Sequence, residues 1–207
     1  HGVVAHPFSK KNTYLDYLQS NIIALKNIVE FSKTKKVKKF IYLSSFKIYG
    51  NIQSKVIKDC NSFENPCLLG ATKILAEKII ETQKFPFLNI RLPGVVSYYI
   101  NDFRRPWINN IIYKLKNNKT IKVYNSNKLF NNIIDTVEIY KFIKHIISKK
   151  IIKSGSLNFS AQKPIKIKNM IYYLRRMTLS NSKIIFMKKK SNHFIISSTN
   201  LGPCSHK

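Results

Sequence analysis

Phe40-Ile41-Tyr42-Leu43-Ser44-Ser45, then Ile48-Tyr49-Gly50, then Asn65-Pro66-Cys67-Leu68-Leu69-Gly70-Ala71-Thr72-Lys73-Ile74-Leu75-Ala76-Glu77, is the stretch that decides the fold. Residues Val37 to Leu43 read as a buried strand that runs out into two hydroxyls. Pro66 to Glu81 reads as a helix, in which positions 69 and 73 lie four apart and so share a face. Upstream, Leu15, Leu18, Ile22, Leu25 and Val29 recur at spacings of three and four and mark an amphipathic helix over Asn12 to Phe31. Downstream, past Pro86, Phe87 to Arg91 reads as a second strand. Helix alternating with strand predicts a parallel sheet with crossover helices. Ligands of such a sheet sit at the carboxyl ends of the strands, where Ser45 and Leu92-Pro93-Gly94 fall.

The same pattern continues toward the C-terminus. Trp107, Ile108, Ile111, Ile112 and Leu115 form a helical face, and Thr120 to Tyr124 a strand. A helix is expected from Val137 to Ser148, a strand from Ser156 to Phe159, a helix from Ile165 to Met177 and a strand from Lys183 to Phe186. With 207 residues and 44% hydrophobic residues, the chain can bury the core of one domain or one and a half. No apolar run is long enough to span a bilayer and no secretory leader opens the chain, so a cytoplasmic location is expected. Cys60, Cys67 and Cys204 form no C-x-x-C pair and no cluster with histidine, so neither a disulfide framework nor a metal site is indicated.

Charge is the loudest compositional signal: 37 Lys and Arg against 9 Asp and Glu, a formal net +28. Such a surface attracts phosphate backbones. The excess, however, is nearly all lysine, spread along the chain together with asparagine and isoleucine, and no nucleic-acid motif accompanies it. Lys33 to Lys39 and Lys188 to Lys190 are the only dense runs. A specific nucleic-acid partner and a membrane partner are therefore not expected.

The ordered set of motifs resembles the extended short-chain dehydrogenase/reductase superfamily, in its NAD-dependent sugar epimerase/dehydratase branch. The usual text of that branch is a strand, Ser-Ser, Tyr-Gly, then Pro-x-x-Tyr-Gly-x-(Ser/Thr)-Lys and a glutamate. The resemblance implies an α/β fold: the C-terminal part of a Rossmann-like sheet in residues 1–100, and mainly a small α/β substrate region in 101–207, with some segments returning to the first domain. It assigns Ser45 a catalytic and substrate-contacting hydroxyl, and Lys73 a catalytic ammonium that also bonds the nicotinamide ribose of NAD or NADP. Position 69, where the family carries its tyrosine, is leucine. A phenol with a pKa of about 10 needs the nearby ammonium to ionise near neutral pH, and leucine has no proton to give. The bland reading of Lys73 and Glu77 is an ordinary surface pair one turn apart. Tyr49, four residues past Ser45, is the first alternative source of a phenol.

Further resemblances lie downstream. Arg91-Leu92-Pro93-Gly94-Val95-Val96 is similar to a segment whose backbone and proline line the nicotinamide, which makes Leu92, Pro93 and Gly94 cofactor-binding candidates. Leu129 to Glu138 resembles the segment entering the substrate domain and makes Asn131 and Asn132 substrate-binding candidates, with Asp135 in place of a histidine and Glu138 in place of an aspartate. Asn131 stands where many nucleotide-sugar epimerases carry a diphosphate-gripping arginine. Phe46-Lys47 stands where dehydratases carry Asp-Glu, which disfavours water elimination by that route. His1 would fall on the histidine after the family's fourth strand, so the resemblance covers the back two thirds of such a protein, His1 to about Leu201. None of the six glycines builds the G-x-x-G-x-x-G turn that approaches a pyrophosphate.

Three function classes remain open from sequence. The first is an NAD(P)-dependent epimerase/dehydratase-like oxidoreductase acting on a sugar or nucleotide-sugar, inactive or incomplete as it stands. The second is a non-catalytic binding protein derived from that fold, and the third a basic polyanion-binding module. Relatives often pair through the helices corresponding to Asn12 to Phe31 and Pro66 to Glu81, so a homodimer is a possible assembly.

Overall fold

The computed structural model describes residues 13–96, 107–149, 153–188 and 192–197; the readings at His1, Lys189, Lys190, Leu201 and Cys204 lie outside them. The first helix, α1 (14–34), comes in three stretches: α-helical Tyr14–Leu18, a π-helical Gln19–Ile23 and α-helical Ala24–Thr34. Thr13 and Asp16 cap its start reciprocally. Strand β1 (Phe40–Ser45), a 3₁₀ turn (Phe46–Tyr49) and a short β2 (Val56–Ile57) lead to α2 (Leu68–Glu81), β3 (Phe87–Leu92) and β4 (Gly94–Val96). Then follow α3 (Trp107–Lys116), β5 (Ile121–Val123), β6 (Leu129–Phe130), β7 (Ile133–Asp135) and α4 (Thr136–Ser148). The last described elements are β8 (Gly155–Asn158), β9 (Ile165–Lys166), α5 (Ile167–Met177), β10 (Ile184–Phe186) and β11 (Ile195–Ile196).

The main sheet has the order β1-β3-β8, parallel throughout. The expected neighbours therefore pair as expected, from Phe40 opposite Phe87 to Ser45 opposite Leu92. Strand β1 starts three residues later than the periodicity suggests and carries both serines. The reason lies in how α1 stops: Lys36 takes a left-handed φ of 48°, with its N–H on the Lys33 carbonyl and the Val37 N–H on the Ser32 carbonyl. That is a Schellman ending, and it consumes Val37 before a strand can begin. The C-terminal helix is also shorter than expected, because Ile165 and Lys166 pair with β6 before α5 starts.

Strand β3 is buried along its whole length, as the middle strand of a sheet covered on both faces must be. Its residues divide by alternation. Leu88, Ile90 and Leu92 pack with Ile139 and Ile146 of α4 and with Leu157. Phe87 faces the other way, against Leu25 and Val29 of α1 and Ala76 and Ile80 of α2. A separate core holds α3, β5 and α5 together through Ile111, Leu115, Ile121, Met170 and Ile171.

Candidate active site

The carboxyl ends of β1 and β3 lie side by side, because Ser45 is in register with Leu92. Ser45 Oγ accepts the Lys47 N–H at 3.2 Å and so caps the 3₁₀ turn that follows. Gly70 lets α2 approach that turn: a Cβ there would sit 2.3 Å from the Lys47 carbonyl oxygen. Asn21, inside the π-helical stretch of α1, donates to Thr72 Oγ1 at 3.0 Å, and Thr72 donates back to the Leu68 and Leu69 carbonyls. A π-turn inside an α-helix is uncommon and often marks a functional site. Here it aims an asparagine at the helix that carries Leu69 and Lys73.

Leu69 is 6% exposed and packs on Tyr17. Lys73 donates to the Leu43 carbonyl at 3.1 Å and lies 4.6 Å from the centre of the Tyr42 ring. Burial pushes its pKa down to about 8, against the opposing pull of Glu77. The ammonium thus contacts β1 two residues before Ser45.

The cofactor and substrate candidates also meet. Gly94 donates its N–H to the Asn132 carbonyl at 3.3 Å, and β4 runs parallel to β7 beside it. Asn131 is buried; its amide donates to the Ile196 and Ala161 carbonyls and accepts the Ile196 N–H. It acts as a length of strand in side-chain form. Asn132 donates to the Phe194 carbonyl, and its Oδ1 is buried with no partner among the described residues. Asp135 accepts the Val137 N–H and caps α4.

Sequence reasoning missed the strongest polar feature of the chain. Glu77 and Arg91, 2% and 1% exposed, form a salt bridge with Arg91 Nη2 at 2.8 Å and Nε at 3.2 Å from the carboxylate. The surface-pair reading of Lys73 and Glu77 is therefore corrected: Glu77 belongs to Arg91. Burial works against the Arg91 charge, but the hydrogen bonds and charge of Glu77 outweigh it and raise its pKa. Arg91 Nη1 also donates to Tyr49 Oη at 3.0 Å and to the Asp59 carbonyl at 2.8 Å, and Tyr49 donates to Asn158 Oδ1 at 2.8 Å. Burial, only partly offset by Arg91, pushes the Tyr49 pKa up to about 12. Tyr49 is thus buried and held between an arginine and an asparagine, which argues against its use as the stand-in phenol. The readable signal was an arginine within an apolar strand, which requires a buried acid.

The family model for the NAD dependent epimerase/dehydratase family matches residues 2–151. The chain belongs to that family. Protein CapI of Staphylococcus aureus is 25% identical over 153 residues, 70% of this chain and 44% of the relative. The fold is that of UDP-N-acetylglucosamine 4-epimerase from Methanobrevibacter ruminantium M1, in complex with UDP-N-acetylmuramic acid: TM-score 0.72 at 21% identity, covering 90% of this chain and 62% of that one. UDP-glucuronic acid 4-epimerase from Bacillus cereus, in complex with NAD, matches with a TM-score of 0.69 at 17% identity, over 93% of this chain and 65% of that one. RMD from Pseudomonas aeruginosa, complexed with NADPH, matches with a TM-score of 0.67 at 15% identity, over 90% and 66%. The chain thus spans less than two thirds of the first two relatives' own length. Among the described residues, no helix is long and apolar enough to cross a membrane.

Proposed function

We propose that this chain is the nicotinamide- and sugar-facing portion of an NAD(P)-dependent epimerase/dehydratase-type oxidoreductase for a sugar or nucleotide-sugar, and that Leu69 leaves it catalytically silent. What carries the reading is one juxtaposition: Ser45 beside Leu92 at the ends of β1 and β3, with α2 packed on the turn after Ser45 at Gly70 and its Lys73 bonded to the Leu43 carbonyl. The residues present fit one end of a dinucleotide. Lys73 suits the nicotinamide ribose and Leu92 to Gly94 the ring, whereas the Gly-rich turn for the pyrophosphate is not in this sequence. When bound, the dinucleotide supplies hydride acceptance and return.

The protein's own contribution is then positional. Ser45 offers a hydroxyl to a substrate oxygen. Asn132 Oδ1, without a partner among the described residues, offers an acceptor to a sugar hydroxyl, while Asn131 holds that loop to β11. No group at position 69 moves a proton. The buried contact of Leu69 with Tyr17 also favours a second reading, a binding protein that keeps the pocket without redox chemistry.

One experiment tests both. The Gly-rich N-terminal portion of a relative is joined to this chain, and Leu69 is compared with Leu69→Tyr. The tyrosine version should turn over faster by about 10² to 10⁴, the usual contribution of a placed acid-base group, and Lys73→Met should abolish the gain. Equal activity of the two versions refutes the assignment of position 69. Ligand binding without turnover in either version favours the binding protein.

A further inference from the structure

Helix α5 buries Ile167, Met170 and Ile171 in the core it shares with α3 and β5. The opposite side of such a helix is normally polar, yet here it carries Tyr172, Tyr173 and Met177, 49%, 54% and 61% exposed. Tyr173 lies against Arg176, whose guanidinium is 5.9 Å from the ring centre, and Tyr172 meets Phe186 of β10 edge to face at 6.0 Å. Just past the helix, Leu179 is 90% exposed, more than any other large hydrophobic residue described. It also stands at a φ of 49°, where leucine is disfavoured. The fold gains nothing from a leucine there, so the side chain suits an apolar surrounding that the chain itself does not provide.

Charge says what kind of surrounding. Segments 107–130 and 161–188, which supply α3, β5, β6, β9, α5 and β10, contain 12 Lys and Arg and no Asp or Glu, and all nine acids of the chain lie before residue 139. A surface that offers only cations around protruding leucine, methionine and tyrosine complements one that is anionic outside and apolar within. An anionic bilayer has both properties. A single-stranded nucleic acid would engage the tyrosines and the cations but has no use for Leu179 and Met177. That no described helix is long and apolar enough to cross a membrane does not bear on a contact made from one side. We infer that the face formed by α5 and β10 docks on anionic phospholipid bilayers, with Leu179, Met177 and Tyr173 entering the headgroup region and the exposed Arg176, Lys183 and Lys188 meeting the lipid anions. The strands that hold Ser45 and Leu92 give no residue to this face, so docking and the chemistry at the strand ends can be varied separately.

The test sediments the full 207-residue chain with unilamellar vesicles of phosphatidylcholine, alone or mixed with phosphatidylglycerol. Binding to the mixed vesicles and little to the neutral ones is expected. A chain of net charge +28 adsorbs to many anionic surfaces, so the deciding variants keep the charge. Leu179→Gly relieves the backbone and cannot act by unfolding the chain; it should weaken vesicle binding about tenfold or more, the worth of an apolar side chain returned to water. Tyr173→Ser should weaken it in the same direction, and Arg176→Gln by about fivefold, the contribution of one cation near such a surface. Tyr140→Ser, which removes a tyrosine 63% exposed on α4, should leave binding as it was. The inference is overturned if mixed vesicles are not bound, or if Leu179→Gly and Tyr173→Ser bind them as the natural chain does, which would mean adsorption through lysines at large. It falls equally if those two variants spare vesicle binding but weaken the binding of a single-stranded oligonucleotide, since the face would then serve a nucleic acid.

Discussion

Arg91 and Glu77 show how much a single residue pair can decide. Removing one partner of a buried ion pair leaves the other charge uncompensated, at a cost of about 3–5 kcal/mol. Glu77→Gln should therefore lower stability by that order in urea melts, and should loosen Tyr49, whose hydroxyl accepts from Arg91. Lys73 gives the residue-scale pH prediction. Its folded pKa of about 8 lies below the unfolded value of 10.5. Below pH 8 both states carry the proton and the folded state bears the full desolvation cost. Between pH 8 and 10.5 the unfolded state binds more protons, so the Lys73 contribution to stability rises with pH. The stability difference between the natural chain and Lys73→Met should move in favour of the natural chain across that window. A flat difference from pH 7 to 10.5 would show that the amine is not desolvated. Leu69 stands out in the sequence because the residues around it follow a family motif. Arg91 was visible, but its partner was not: Glu77 lies fourteen residues away and meets it only once α2 crosses β3.

Three helices end in the same way. Beyond α1, α3 and α5 the chain turns through Lys36, Asn118 and Leu179, all at φ near 50°, with paired 6→1 and 5→2 backbone bonds behind each turn. Only the asparagine suits the left-handed region well. Leu179 is 90% exposed, so its side chain repays none of the strain. Leu179→Gly and Lys36→Gly should each stabilise by about 0.5–2 kcal/mol, measured as a shift in the urea midpoint at unchanged slope. The reverse holds at Gly70, where a methyl group would press on the Lys47 backbone. Gly70→Ala should cost about 1–3 kcal/mol and displace the 3₁₀ turn beside Ser45. The helices and long strands were legible because their apolar periodicity is local. Of the strands of two or three residues only β5 and β10, which follow legible helices, were read in advance; β2, β4, β6, β7, β9 and β11 were not, since such short segments carry no period and exist only through partners far along the chain.

At the scale of the whole molecule, a net charge of +28 works against compactness. Raising ionic strength from about 10 mM to about 150 mM cuts the Debye length from about 30 Å to about 8 Å, so the melting temperature should rise with added salt, as scanning calorimetry would show. A melting temperature indifferent to salt would mean that the lysines are already spaced beyond effective repulsion. Some of them are occupied in the fold: Lys39 donates to the Ile146 and Ile147 carbonyls at the end of α4 and so meets its dipole. The sequence by itself determined the alternation of helix and strand, the parallel pairing of β1 with β3, and the family, because each is written in residues close together or in fixed order. Only the tertiary structure decided that Glu77 belongs to Arg91, that Tyr49 bonds Arg91 and Asn158, that Asn131 is spent on β11, and that Lys73 bonds the Leu43 carbonyl. Those outcomes depend on which side chains are brought within 3 Å of each other across the chain, and a buried charge or an unpaired amide takes whichever partner the packing supplies.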